Sequence, residues 1–292
     1  MKFKGVVYGI ISSATFGMIP LFAIPVMQSG MAIESILFYR FALSALIMGI
    51  LAAMQNRSFK VSVKELGTLM VLGLTYASTA NLLMNSYEYI SSGMATTIHF
   101  LYPVLVTLIM FLFFKEKSSV WVFIGILMAL AGVALMCMGE GFGTVSSKGL
   151  LFAFSTIVTY ALFIVGVNSS CVKTMDSHIL TFYVLMFGSF LFLGTGVASH
   201  GIIELPYSIS DAVNLVLLAL IPTMISDLTL VLAIKNVGST VTSVLGSMEP
   251  LTAVLLGVLV FHENFTVNHF FGIVLVVTAV SMVIIAKKRF SR

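Results

Sequence analysis

Charge is scarce in this chain: Asp, Glu, Lys and Arg together make up 9% of its 292 residues. A soluble domain of that length carries charge on about a quarter of its residues, so a water-facing fold is excluded. The 59% hydrophobic content and the mean hydropathy of +1.12 point the same way. Cysteine occurs only at Cys137 and Cys171. Those two have no metal-ligand spacing and fall at opposite ends of the spans drawn below, so neither a metal site nor a disulfide is expected. Ten-residue segments of alternating polarity are missing, which excludes a membrane β-barrel. Also missing are a phosphate-cradling P-loop, a nucleophile with its base, and paired aspartates at fixed spacing. No ATP, no cofactor and no enzymatic chemistry are therefore expected.

What is present is hydrophobic length. Ten apolar runs lie near 5–27, 33–54, 66–87, 91–114, 119–138, 149–171, 177–198, 212–234, 239–261 and 267–286. Each approaches the roughly 20 residues that a helix needs to cross the hydrocarbon core. The opening "MKFKGVVYGIISSATFGMIPLFA" has the basic start of a signal peptide, but its apolar run is too long, and it reads as the first spanning helix. With the N-terminus cytoplasmic, thirteen of the fifteen Lys and Arg residues fall on the inside. Only Lys148 lies outside, and Arg40 lies within a helix. That bias predicts both termini on the cytoplasmic side of the membrane. The net charge of +4 then reflects topology and anionic lipid, and no nucleic-acid partner is expected.

The chain repeats itself. "KGVVYGIISSATF" from Lys4 parallels "KGLLFAFSTIVTY" from Lys148, setting Ser12 and Thr15 against Thr156 and Thr159, and Phe16 against Tyr160. Phe38-Tyr39 matches Phe182-Tyr183 at the same spacing. A further shift of three residues aligns Pro103 with Pro250, Glu116 with Glu263 and Gly125 with Gly272. The expected organisation is a first repeat over 1–138, a linker at 139–148 within "GEGFGTVSSKG", and a second repeat over 149–292. Five helices per repeat force the second to enter the membrane from the opposite side. The fold class is thus an all-α membrane protein of ten transmembrane helices in two inverted five-helix repeats, an architecture recurrent in secondary transporters.

Each half carries a proline within a helix, a glutamate thirteen residues later, and a glycine nine beyond that: "YPVLVTLIMFLFFKEKSSVWVFIG" and "EPLTAVLLGVLVFHENFTVNHFFG". In this the chain resembles the drug/metabolite transporter superfamily, EamA-type, over essentially its whole length. The resemblance implies an inner-membrane carrier with a central cavity formed by both repeats, exporting amino acids or related metabolites. It also admits proton-coupled uptake of a nucleobase or vitamin. In the first half Tyr102 precedes Pro103 where an acid is commoner.

Candidate site residues are the polar groups placed deep in apolar runs. Glu249 lies about ten residues from either end of its run, roughly 15 Å deep, on a face with Ser239, Thr242, Gly246 and Ala253. It reads as a cavity acid for an amine or a proton, or as a protonated bridge between helices. His99 shares a stripe with Thr96, Pro103 and Thr107, and either shuttles a proton, donates to a carboxylate, or packs in an interhelical bond. Ser78, Asn81 and Asn85 repeat at helical spacing with Thr75, as substrate contacts or as interhelical glue. Arg40 either snorkels toward Glu34 or clamps an anion. Asp227, after Thr223 and Ser226, is a third proton candidate beside Glu249 and His99, with a distant pairing to Lys235. Tyr39, Tyr76, Tyr102 and Tyr160 are expected as aromatic walls, and Pro103, Pro222 and Pro250 as hinges. Glu116 and Glu263 sit at helix ends as caps or ion-pair partners, and Trp121 as an interfacial anchor. The expected partners are a small-molecule substrate and membrane lipid, with the carrier a monomer or a homodimer. A channel or a structural membrane subunit fits the unpaired mid-helix polar groups less well.

Overall fold

In a computed structural model, residues 3–90, 92–116, 119–137, 146–259 and 266–290 are described. Among these residues fourteen α-helices and one π-turn build ten rods. Rod 1 is α1 (Phe3–Phe16) followed by α2 (Ile19–Gln28), rod 2 is α3 (Ile33–Met54) and rod 3 is α4 (Val63–Tyr87). Rod 4 joins α5 (Ser92–His99) to α6 (Tyr102–Leu112), and rod 5 is α7 (Val120–Cys137). Rods 6 and 7 are α8 (Ser147–Ser169) and α9 (Ser177–His200). Rod 8 runs from α10 (Ile209–Ala219) through the π-turn Leu220–Ile225 into α11 (Ser226–Val237). Rod 9 joins α12 (Ser239–Leu245) to α13 (Met248–Leu259), and rod 10 is α14 (Val267–Phe290). Rods 1, 2, 3, 6, 7 and 8 are long and apolar enough to cross a bilayer, and rods 4, 5 and 10 supply shorter apolar helices. Glu263, Lys117 and residues 139–145 of the expected linker lie outside the described residues.

Prolines decide where the rods break. Proline lacks an N–H and rejects the carbonyl four residues before it, here His99 for Pro103 and Gly246 for Pro250. The preceding helix therefore closes with tight turns, Leu101 N to Ile98 O at 3.0 Å and Ser247 N to Val244 O at 3.1 Å. Rod 1 breaks in the same way at Gly17-Met18, with Pro20 in the first turn of α2. Pro222 is accommodated in the π-turn of rod 8. The unbroken helix expected over 239–261 is thus corrected: Glu249 is the second residue of α13, and its polar stripe is interrupted at Gly246-Ser247. Rod starts are set by caps. Ser62 and Glu65 form a reciprocal capping box, and Ser208 accepts from Asp211 N at 3.0 Å at the corresponding start of rod 8.

The inversion is visible in the register of neighbours. Along rods 2 and 7, Glu34 lies beside Gly196, Phe41 beside Gly188 and Gly49 beside Phe182, so residue numbers fall on one as they rise on the other. Rods 5 and 10 are antiparallel likewise, with Gly125 against Val283 and Gly132 against the Gly272 carbonyl. Rods 4 and 9 pair Tyr102 with Glu249 and Glu116 with Thr240. Each of these rods therefore runs against its own counterpart from the other repeat. Rods 1 and 8 meet through Ser12 and Ser226, and rods 3 and 6 through Thr79 and Thr159, two pairs that exchange when the repeats are exchanged. Small residues let the rods approach where lipid supplies no hydrophobic drive, and a Cβ at Gly188 would run into the Phe41 ring.

Candidate substrate site between the repeats

Where the broken rods cross, equivalent residues meet. Tyr102 and Glu249, each immediately before its proline, face one another with the phenol 3.4 Å from Oε1. Phe16 and Tyr160 stack with ring centres 6.0 Å apart. His99 lies among them, 5.2 Å from the Tyr102 ring and 5.0 Å from Tyr160. All of these are buried, although the carboxyl and the imidazole are groups that burial penalises. The Thr156 hydroxyl sends its one proton to the Ala153 carbonyl at 2.5 Å, so its contact with His99 Nδ1 at 2.8 Å needs Nδ1 as the donor. That leaves Nε2 a bare acceptor, and among the described residues it has no partner; neither has Glu249 Oε2. Both residues line a small cavity walled by Phe16, Ile19, Pro20, Leu83 and Tyr87, with Thr96 beside them.

A second polar group lies on the other side of Phe16. Arg40 is 1% exposed, donates from Nε to the Thr223 hydroxyl at 2.7 Å, and rests 5.9 Å and 5.7 Å from the Phe16 and Phe41 ring centres. The π-turn aims that hydroxyl, because Thr223 in turn donates to the Leu218 carbonyl at 2.8 Å. Tyr76 donates to Asp227 Oδ1 at 2.5 Å. Among the described residues Arg40 Nη2 and Asp227 Oδ2 are buried with no hydrogen-bond partner, and neither residue is in an ion pair. Tyr76 and Tyr160, with ring centres 6.4 Å apart, join this nest to the cavity group.

The fold thus brings together Arg40, Tyr76, His99, Tyr102, Tyr160, Asp227 and Glu249 from six rods. Other candidates stay apart. Tyr39 is half-buried against Phe38, and Ser78 is half-buried on rod 3. Asn85 donates to the Asn81 side chain at 2.6 Å, a bond along its own helix. Three expected pairings are corrected. Glu34 meets His200 at 3.3 Å rather than Arg40, which turns inward to Thr223. Lys235 donates to the Met175 carbonyl rather than to Asp227, because Tyr76 is nearer the acid. His99 bonds a hydroxyl, not a carboxylate. Phe16 and Tyr87 were not among the expected site residues; for Phe16 the signal was its alignment with Tyr160. Trp121 is exposed at the start of rod 5.

Comparison with known proteins gives the family and the fold. A model of the EamA-like transporter family matches residues 3–138 and again residues 147–285. Two Bacillus subtilis (strain 168) proteins are similar. The uncharacterized transporter YvbV is 22% identical over 196 residues, 67% of this chain and 64% of that protein. The uncharacterized transporter YetK is 26% identical over 198 residues, 64% of this chain and 58% of that protein. The chain therefore spans less than two thirds of the length of either relative. A solved structure, described only as the crystal structure of a protein, aligns over 100% of both chains with a TM-score of 0.84 at 14% identity, a likeness of fold alone.

Proposed function

The chain belongs to the EamA-like transporter family, and we propose that it is a secondary carrier that exports small amphipathic metabolites, amino acids foremost, across the cytoplasmic membrane by alternating access. Both termini would lie in the cytoplasm, following the basic bias of the loops. One observation carries the reading. Buried Arg40, His99, Asp227 and Glu249, each with a polar atom that has no partner among the described residues, gather where the two repeats cross, and His99 and Glu249 line a small cavity there. Such groups cost free energy in a membrane protein and persist where a ligand completes them.

In this reading a substrate ammonium donates to Glu249 Oε2 and to the bare His99 Nε2, and an apolar side chain lies against Leu83 and Tyr87. The carboxylate takes Arg40 Nη2 once the Phe16 ring turns aside. That ring ends α1 next to the Gly17-Met18 break, where no continuous helix holds it. A second reading, proton-coupled uptake of a neutral flat solute such as a nucleobase, is favoured by the aromatic cluster and the unpaired His99 acceptor. Proteoliposomes loaded with single radiolabelled solutes, with and without a pH gradient, separate the two. Counterflow of amino acids that fails for their decarboxylated amines supports the first. Movement of nucleobases with no movement of any amino acid overturns it.

A further inference from the structure

Arg40 and Asp227 lie in one buried nest, carry opposite charges, and are not in contact with each other as an ion pair. Arg40 is held from the side by Thr223 at its Nε, which leaves Nη2 free to serve another acceptor. Asp227 is held at Oδ1 by Tyr76, which leaves Oδ2 free. Neither free atom lines the cavity; the Phe16 ring stands between the guanidinium and the cavity that holds His99 and Glu249. The arrangement gives Arg40 Nη2 two alternative acceptors: an ionised Asp227 on its own side of Phe16, and a carboxylate arriving from the cavity on the other.

We propose that Asp227 and the substrate carboxylate compete for Arg40, so that Asp227 is a proton-binding site whose occupancy permits carboxylate binding. This rests on the carrier reading above and adds its coupling. With Oδ2 protonated, Asp227 is a neutral neighbour, and the guanidinium is free for the incoming carboxylate. When the proton leaves Oδ2 for water on the open side, the new carboxylate takes Nη2 and displaces the substrate. One proton and one carboxylate then occupy the nest together, and by linkage each strengthens the other's binding. Export down a metabolite gradient would carry a proton out with each substrate. The charged and titratable groups facing Asp227 from the rods around it are Arg40 of rod 2, Tyr76 of rod 3 and Tyr160 of rod 6, with Glu249 of rod 9 next. Rod 1 contributes Ser12 at this level, whose carbonyl accepts from the Ser226 hydroxyl at 2.9 Å.

The test exploits aspartate's rarity: the chain has only Asp176, Asp211 and Asp227, and only the last is far from a rod end. Purified full-length protein labelled with 13C-aspartate is stepped from alkaline to acid pH, and the protonated-carboxyl stretch is read by infrared difference spectroscopy. A labelled buried-carboxyl band should appear on acidification, disappear in Asp227→Asn, persist in Glu249→Gln, and change frequency in Tyr76→Phe through loss of the bond to Oδ1. Arg40→Gln should alter the pH at which the band is lost. Absence of a labelled band in the wild type, its survival in Asp227→Asn, or no effect of Arg40→Gln overturns the competition. In proteoliposomes, uptake of a radiolabelled amino-acid mixture should fall about tenfold per pH unit once Asp227 ionises, and Asp227→Asn should flatten that slope. An unchanged slope in Asp227→Asn overturns the coupling. No wild-type transport of any amino acid overturns the carrier reading instead, while the infrared arms still decide the proton site.

Discussion

The two repeats share a backbone plan and differ in chemistry where they touch. Rods 4 and 9 break at the same place for the same reason, a proline that rejects the carbonyl four residues earlier. Around that break the first repeat carries His99 and Tyr102, and the second carries Gly246 and Glu249. Because equivalent positions meet at the crossing, a strictly symmetric pair of acids would set two carboxylates face to face, where like charges disfavour each other's ionised form. A tyrosine opposite a glutamate turns that repulsion into a hydrogen bond, 3.4 Å long here. Gly246 completes the fit, since a Cβ there would occupy the space of the Tyr102 hydroxyl. The asymmetry in sequence is therefore how this chain avoids that repulsion on a shared axis.

Restoring the missing symmetry should break the protein most. Tyr102→Glu would bury two acids in contact with no cation between them, a disruption of the order of 3–5 kcal/mol. We expect loss of folded yield in detergent, read by size-exclusion chromatography, and little transport by what remains. Exchanging the pair, Tyr102→Glu with Glu249→Tyr, should not rescue it. The tyrosine ring would then meet His99 in the place where Tyr102 now meets Gly246. Adding His99→Gly should recover yield. Full recovery by the exchange alone would show that the glycine is irrelevant to the fit.

A smaller perturbation isolates that glycine. Gly246→Ala overpacks the contact with Tyr102 and should cost about 1–3 kcal/mol, seen as a lower thermal midpoint in detergent. Removing the obstacle in the double variant Gly246→Ala, Tyr102→Ala should return part of the loss. If the two effects simply add, the residues are not coupled as their positions require.

Much of the fold was legible in sequence because its determinants are local or periodic. Apolar runs mark the rods, prolines mark the breaks, and an odd helix count per repeat makes inversion unavoidable. The site was legible only where a polar group interrupts an apolar run, as at Glu249, Asp227, Arg40 and His99. Phe16 carries no such mark, being one apolar ring among 24 phenylalanines, and its role comes from standing between two polar groups. The direction taken by Arg40 was not legible either. Its acceptor, Thr223, is 183 residues away, on a π-turn that helical periodicity does not foresee. Asn81 and Asn85 are ambiguous in the opposite way: their four-residue spacing, read as a substrate face or as interhelical glue, also lets them bond each other.

The inner group should respond to the form of its cation as well as its charge. Arg40→Gln removes both the charge and most donors, whereas Arg40→Lys keeps the charge without the planar fork. Transport of carboxylate-bearing solutes should fall about tenfold or more in the first, and less in the second. Equal and full transport by both would leave Arg40 a packing residue.

The smallest effect is expected far from the axis, at the ends of rods 2 and 7. One end carries Arg57 paired with Asp176, and the other carries Glu34 with His200 at 3.3 Å. The Arg57 and Asp176 side chains are 29% and 40% exposed, so water screens them and the pair should contribute less than about 1 kcal/mol. Asp176 has a second task, because its Oδ1 accepts from the backbone N–H groups of His178 at 2.9 Å and Ile179 at 3.3 Å and so caps rod 7. Loss of such a cap costs roughly 0.5–2 kcal/mol. Arg57→Ala should therefore lower the thermal midpoint slightly, Asp176→Ala more, and Asp176→Ser about as little as Arg57→Ala, since serine keeps the cap. At about 1 M salt, where the screening length is near 3 Å, the Arg57→Ala difference should vanish while the Asp176→Ala difference remains. A large, salt-resistant loss in Arg57→Ala would mean that this pair holds the end of the bundle closed, and that the two ends of rods 2 and 7 are not the minor counterparts their exposure indicates.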